Sequence, residues 1–218
     1  EKRMVMRSSF DDRRRLNSLL VLNKNGNLLD IIIDFSNQRI LPIGWTGNNT
    51  LHYLIDDQLK TKNMNQSKNE WDSPLIFAIK NKLYEKVSDK GFQLLHEAQD
   101  MILNLSYSSD ATLIVFEVYG GETVVIQNRK LINTGIRNGN GPTVSPDGEK
   151  IVFMIIEDDG YQIQSGAISY WDSKTGKIYP IIEDPNIVAM NPVWSNNNLI
   201  YYINFLDGSI QSAGLGNQ

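Results

Sequence analysis

Cysteine is absent from this chain of 218 residues and histidine nearly so, with His52 and His96 alone. No disulfide framework, thiolate metal site or cysteine nucleophile can be built from it, and any chemistry needing a histidine cluster lacks material. A basic excess is also missing. Lys and Arg total 21 against 25 Asp and Glu, a formal net charge of −4, which does not suit a nucleic-acid coat. No apolar run reaches the length of about 18 residues that a spanning helix needs. The nucleophile elbow Gly-x-Ser-x-Gly does not occur, which argues against an α/β-hydrolase. The chain begins at Glu1, not methionine, so the lack of a leader carries no information. What remains is ordinary globular material, 41% hydrophobic and 21% charged, enough for one domain, residues 1–218, that buries about 70% of its unfolded surface.

That material is arranged in short apolar runs cut by Gly, Asn, Asp and Pro. Leu19–Leu22 leads through Asn23-Lys24-Asn25-Gly26-Asn27 into Leu28–Ile33, and an Asn-Gly step between two such runs signals a hairpin. Similar runs are Arg39–Ile43, Leu51–Ile55, Leu75–Ile79, Lys82–Val87, Leu113–Val118, Thr123–Gln127, Ile151–Ile156, Ala167–Trp171, Lys177–Ile182, Leu199–Asn204 and Ser209–Leu215. Many are continuously apolar, the mark of strands buried on both faces. The expectation is an all-β fold. Phe92–Leu105 has mixed helical spacing and is open between a helix and a strand end feeding a loop. Asp56–Ser73 reads as one long polar loop inserted in the domain, and long ordered loops are often functional.

Three segments repeat. Leu105–Phe116, Pro142–Phe153 and Pro192–Tyr201 each place a bulky residue, a serine, a turn and an apolar strand in the same order, and Gly44–Tyr53 is a fainter copy. The bulky residue falls at 45, 107, 144 and 194, with successive spacings of 62, 37 and 50. Serine can bond its own backbone and start the turn, while Pro146, Asp147 and Gly148 suit its dihedrals. A second tight turn follows each strand, at Tyr119–Glu122, Asp158–Gly160 and Leu206–Gly208. A period of about 40–50 with four strands per unit is the sign of a propeller blade.

The repeat Pro142-Thr143-Val144-Ser145-Pro146-Asp147-Gly148 through Ile151-Val152-Phe153, with the later strand Lys177–Ile182, resembles the TolB-like β-propeller repeat. The likeness covers residues 100–215 well and 17–55 loosely. A WD-repeat propeller is a weaker match through Trp171-Asp172, because its Gly-His pair is missing. The resemblance implies a β-propeller of four-stranded antiparallel blades. Four repeat junctions give about five blades, with Arg3–Phe10 expected to complete the last blade beside Leu199–Asn204 and Ser209–Leu215. The alternative is part of a six- to seven-bladed ring. The resemblance further implies a protein or peptide partner and an extracytoplasmic setting, periplasmic, cell-surface or secreted.

Candidate chemistry is sparse. His96-Glu97 lacks the second histidine of a zinc-protease helix, and His52 lies in an apolar run where a hydrogen-bonded strand residue is expected. Glu157-Asp158-Asp159-Gly160 does not have calcium-loop spacing and reads as a solvated hairpin turn. Thr134–Gly141 lacks the lysine and the following helix of a phosphate loop and reads as a flexible interblade loop. Arg13-Arg14-Arg15 adjoins Asp11-Asp12 and reads as a solvated turn. No catalytic, metal-binding or cofactor-binding residue is expected. The expected function is a non-enzymatic interaction platform, whose contact surface draws on 56–73, 134–141 and 183–191. The candidate contacts are Trp71, an aromatic in a polar stretch, with Arg137, Asn138 and Asn140. Two alternatives stand beside it: a glycan- or peptide-processing propeller with paired channel carboxylates, and a propeller module of a larger secreted assembly.

Overall fold

The computed structural model describes residues 3–10, 16–23, 28–46, 50–64, 74–86, 92–195 and 198–215. Every regular element among them is a strand, and each sheet is a run of consecutive antiparallel hairpins. The chain divides into two units, Glu1–Leu75 and Ile76–Gln218.

In the first unit, β1 (Arg3–Phe10), β2 (Leu16–Asn23) and β3 (Leu28–Ser36) form one sheet. β4 (Ile40–Thr46), β5 (Thr50–Ile55) and β6 (Gln58–Asn63) form another. Two expectations are corrected here. Arg3–Phe10 does not complete the last sheet; it pairs with β2 along its whole length, from Arg3↔Asn23 to Phe10↔Leu16. Nor is 56–73 one loop. Asp56 and Asp57, both at positive φ (48° and 65°), close a two-residue turn, and β6 pairs with β5 from Ile55↔Gln58 to Thr50↔Asn63. Residues 65–73, with Trp71, and Arg13–Arg15 lie outside the described residues. The unit's core is Leu19, Val21, Ile40, Leu51 and Tyr53.

The second unit holds four sheets. β7 (Ile76–Ile79), β8 (Lys82–Lys86) and β9 (Phe92–Glu97) make the first. β10 (Ile102–Tyr107), β11 (Leu113–Val118), β12 (Glu122–Gln127) and β13 (Lys130–Ile132) make the second. β14 (Gly139–Val144), β15 (Lys150–Asp158), β16 (Ile163–Asp172) and β17 (Ile178–Ile182) make the third. β18 (Ala189–Trp194), β19 (Leu199–Asn204) and β20 (Ile210–Gly214) make the last. Two of the six described sheets thus have four strands and four have three. Phe92–Leu105 contains no helix: β9 ends at Glu97, and β10 starts at Ile102. Residues 139–141 belong to β14 and not to a loop.

The continuously apolar runs are middle strands buried on both faces. On β11, Ile114, Phe116 and Val118 pack toward Ile76 and Leu83 of the preceding sheet. Leu113 and Val115 pack toward Ile151 and Phe153 of the following one. On β15 the alternate residues Val152 and Met154 turn to Ile200 and Tyr202 of the last sheet. The sheets of β11 and β15 therefore each have one face toward the predecessor and one toward the successor.

The repeat is structural. Tyr107, Val144 and Trp194 each end the first strand of a sheet and pair with Ile114, Ile151 and Ile200 of the second. The next residue closes the turn. Ser108, Ser145 and Ser195 donate their N–H to the C=O of Leu113, Lys150 and Leu199, and their hydroxyls accept the N–H of those same three residues. Gly148 sits at φ +73°, and a Cβ there would lie 2.9 Å from Cβ of Ser108 in the preceding sheet's turn, so equivalent corners of neighbouring sheets touch.

Candidate functional site

The first strands of consecutive sheets in the second unit run side by side and are bonded across the gap. The Val144 N–H donates to Ser106 Oγ at 3.0 Å, and the Trp194 indole donates to the Thr143 C=O at 3.1 Å. Each of these strands bulges, between Leu103 and Ser106, Asn140 and Thr143, and Met190 and Val193. Three residues before the bulky end, each holds a left-handed residue: Asn104 (φ 46°), Gly141 (φ 58°) and Asn191 (φ 53°). Asn and Gly tolerate that conformation best, and a bulge re-aims the side chain it carries.

A buried carboxylate organises the junction between the second and third sheets of this unit. Glu117 on β11 accepts from Asn104 Nδ2 at 2.7 Å and from the Gly141 N–H of the next sheet. Met154 occupies the matching place on β15 and accepts the Asn191 N–H at 3.2 Å. Glu85 on β8, the other buried carboxylate among the described residues, takes the guanidinium of Arg129 from the β12–β13 turn. Both buried acids are committed to holding sheets together. No cluster of His, Asp and Glu able to hold a metal ion occurs among the described residues.

The expected contact residues are distributed around β14. Arg137 and Asn138 are exposed just before it, and Asn140 is half-buried within it. The structure brings the two asparagines together: Asn138, at φ 56°, accepts at its C=O from Asn140 Nδ2 at 3.0 Å. The guanidinium of Arg137 makes no ion pair among the described residues. The approach to β14 is held rather than loose. Asn133 Oδ1 accepts the Gly135 N–H, Thr134 Oγ1 accepts the Ile136 N–H, and the C=O of buried Gly139 accepts from Thr123 Oγ1 at 2.6 Å. A Cβ on Gly139 would meet Ile136 at 2.5 Å and Phe153 at 3.0 Å, so glycine alone fits. In 183–191, Asp184 caps the N–H of Asn186, and β18 starts at Ala189. Asn104 and Asn191 extend the polar surface, and neither is flagged by any motif. Their signal is positional: extending the repeat alignment backward puts both three residues before its bulky member.

The remaining candidates are structural. His52 is buried, and its Nε2 lies 2.6 Å from Thr46 Oγ1. His96 is half-buried on β9, with its ring tilted against Phe116 at 5.7 Å. Asp158 and Asp159 cap N–H groups of Gly160, Tyr161 and Gln162 in an exposed hairpin turn. The caps also set acidities. Hydrogen bonds from the Ser108 hydroxyl, then from the Thr112 N–H and hydroxyl, hold Asp110 down to about 2. Burial raises the Asp147 carboxyl, but the Ser145 hydroxyl, the Glu149 N–H and Lys150 outweigh it and keep it below the ordinary carboxylate value.

No protein-family model matches this chain, and no curated protein matches it. Solved structures do. The tricorn protease aligns with 85% of this chain at a TM-score of 0.54 and 12% identity. A puromycin-hydrolyzing peptidase of Mycobacterium tuberculosis aligns with 99% at a TM-score of 0.56 and 12% identity. TolB of Acinetobacter baumannii aligns with 99% at a TM-score of 0.51 and 12% identity. All three are β-propeller proteins, and the chain has their all-β, propeller-like fold. It spans 22%, 35% and 64% of their respective lengths, in each case less than two thirds.

Proposed function

We propose that the chain is a non-enzymatic β-propeller module, each sheet a blade, that binds a protein or peptide partner in an extracytoplasmic setting. One observation carries the reading. The buried carboxylates Glu85 and Glu117 are consumed by bonds between sheets, while β10, β18 and β14 with the residues just before it present neutral amides and one guanidinium. An acid–base pair needs carboxylates turned toward a substrate, and these two are turned to groups of neighbouring sheets. Primary amides carry donor and acceptor together, which matches the alternating groups of a peptide backbone. Likeness to TolB supports the extracytoplasmic setting and the protein partner. Trp71 belongs to the same reading as an aromatic anchor.

The test is capture of a partner from an envelope extract by the intact protein, followed by affinity measurement with the purified partner. Arg137→Ala with Asn138→Gly and Asn140→Ala, which keeps the left-handed turn at 138, is expected to weaken binding about tenfold or more. Trp71→Ala should weaken it independently. Unchanged affinity in both variants would overturn the assignment. A second reading follows from two of the structural neighbours being a protease and a peptidase that are much longer than this chain. In it, the chain is the propeller module of a larger peptide-processing protein and the same surface holds the peptide. Mass spectrometry of peptides incubated with the chain should then show retention without cleavage.

A further inference from the structure

The run Asn138-Gly139-Asn140-Gly141, at the start of β14, holds two Asn-Gly steps in succession. In such a step the glycine nitrogen can attack the asparagine side-chain carbonyl, because glycine has no Cβ to block the approach. The attack needs a side-chain amide that nothing holds and a following N–H that no acceptor has taken. The two steps differ in both respects.

Asn140 is guarded. It is half-buried, its Nδ2 donates to the Asn138 C=O at 3.0 Å, and the Gly141 N–H donates to Glu117. The Asp-Gly steps, which close the same ring with loss of water, are guarded alike. The Gly148 N–H donates to the Ser145 C=O at 2.9 Å, that of Gly160 to Asp158 Oδ1 at 2.9 Å, and that of Gly208 to the Asn204 C=O at 2.8 Å. Asn138 has neither guard. It is exposed, and its side-chain amide makes no hydrogen bond among the described residues. Gly139 stands opposite Ile155. The Glu149 C=O accepts the Ser173 N–H, so by antiparallel alternation Ile151, Phe153 and Ile155 give their backbone groups to β16. The Gly139 N–H therefore lies outside the β14–β15 ladder.

We propose that Asn138 is a spontaneous modification site, where the chain converts its own side-chain amide to a carboxylate with water as the co-reactant. The Gly139 nitrogen bonds to Asn138 Cγ, the bond from Cγ to Nδ2 breaks, and ammonia leaves with the proton from Gly139. Water then adds to one of the two carbonyls of the resulting succinimide and breaks that carbonyl's bond to the Gly139 nitrogen. Attack at Cγ leaves aspartate at position 138. Attack at the main-chain carbonyl leaves isoaspartate, with the main chain rerouted through the side chain. No electrons are transferred. The peptide between Asn138 and Gly139 must turn for the first attack, so local opening at the start of β14 sets the pace. The product puts a negative charge next to Arg137, whose guanidinium makes no ion pair among the described residues. Its effect on binding rests on the reading of 137–140 as a contact surface; the conversion itself does not.

The test incubates the intact protein in mildly alkaline buffer and follows each asparagine by peptide mapping and mass spectrometry, with isoaspartate read by enzymatic methylation. Asn25-Gly26 lies outside the described residues, and mapping keeps it separate. The folded protein should convert at 138 about tenfold or more faster than at 140. Urea should remove the difference. Glu117→Ala frees the Gly141 N–H and should raise the rate at 140 relative to 138, whereas Glu117→Gln keeps an acceptor there and should hold it low. Equal rates at the two sites in the folded chain, a difference that persists in urea, a rate at 140 that Glu117→Ala leaves unchanged, or no conversion at 138 while the unfolded chain converts would each overturn the proposal. Protein converted at 138 and then offered the captured partner separates the two claims. An unchanged affinity would count against the contact surface and leave the modification standing.

Discussion

At the residue scale, the serine that opens each turn does more than its small size implies. Ser145 is buried, donates from its hydroxyl to Asp147, and accepts the Lys150 N–H at 2.9 Å. Alanine would leave that N–H without a partner in a buried corner. Ser145→Ala, and Ser108→Ala by the same reasoning, should each lower unfolding free energy by about 1–3 kcal/mol, measured as a shift in urea midpoint. An unchanged midpoint would mean the hydroxyl is dispensable. The paired aspartates add a pH dependence of definite sign. Asp110 is held down to about 2 in the folded chain, below its unfolded value, so its contribution is present above the unfolded value of about 4. It is lost as pH falls through about 2. Asp147 is lowered too, so it acts in the same direction. Asp110→Asn should therefore flatten the fall in thermal midpoint between about pH 4 and 2, while changing the slope above pH 5 little.

At the element scale, junctions between sheets use a fixed position with interchangeable chemistry. Glu117 and Met154 stand in register, and each accepts the N–H of a left-handed residue on the next sheet's first strand. Glu117→Ala leaves that N–H and Asn104 Nδ2 without their acceptor, and about 2–3 kcal/mol of stability should be lost. Glu117→Met copies the next junction and should recover part of that loss in the same denaturant titration; a methionine no better than alanine would refute the equivalence. The strands with apolar runs were legible in the sequence because burial on both faces leaves an unbroken signature, as in Leu113–Val118 and Ile151–Ile156. The repeat was legible because serine and a bulky neighbour recur at each corner. β6 was not, since Gln-Leu-Lys-Thr-Lys-Asn is a mostly exposed edge whose charges resemble a loop, and Asp56-Asp57 lacks the glycine that usually announces such a turn. The pairing of Arg3–Phe10 was missed because one strand pattern does not name its partner; a hairpin neighbour close in sequence prevailed over a remote edge. In the candidate site, Arg137, Asn138 and Asn140 were singled out by their polar loop. Asn104 and Asn191 were not, because a bulge has no composition of its own and shows only in register.

At the scale of the whole molecule, the sheets of Ile76–Gln218 meet mainly their neighbours in the chain, so stability there is close to a sum over junctions. The two inner sheets have junctions on both faces, which bury β11 and β15, with Phe116 and Phe153 at 0% and 1% exposure. Among the described residues the last sheet has a junction on one face only, and Tyr201 and Ile203 lie on the other. Native-state hydrogen exchange should therefore be graded: slowest in β11 and β15, and faster in β19 and β20. Glu117→Ala weakens the junction between the second and third sheets of this unit, so its effect should fall on β11 and β15 together and fade by β19. A uniform loss of protection across all four sheets would mean that the unit opens as one block, and that stability is not additive over junctions.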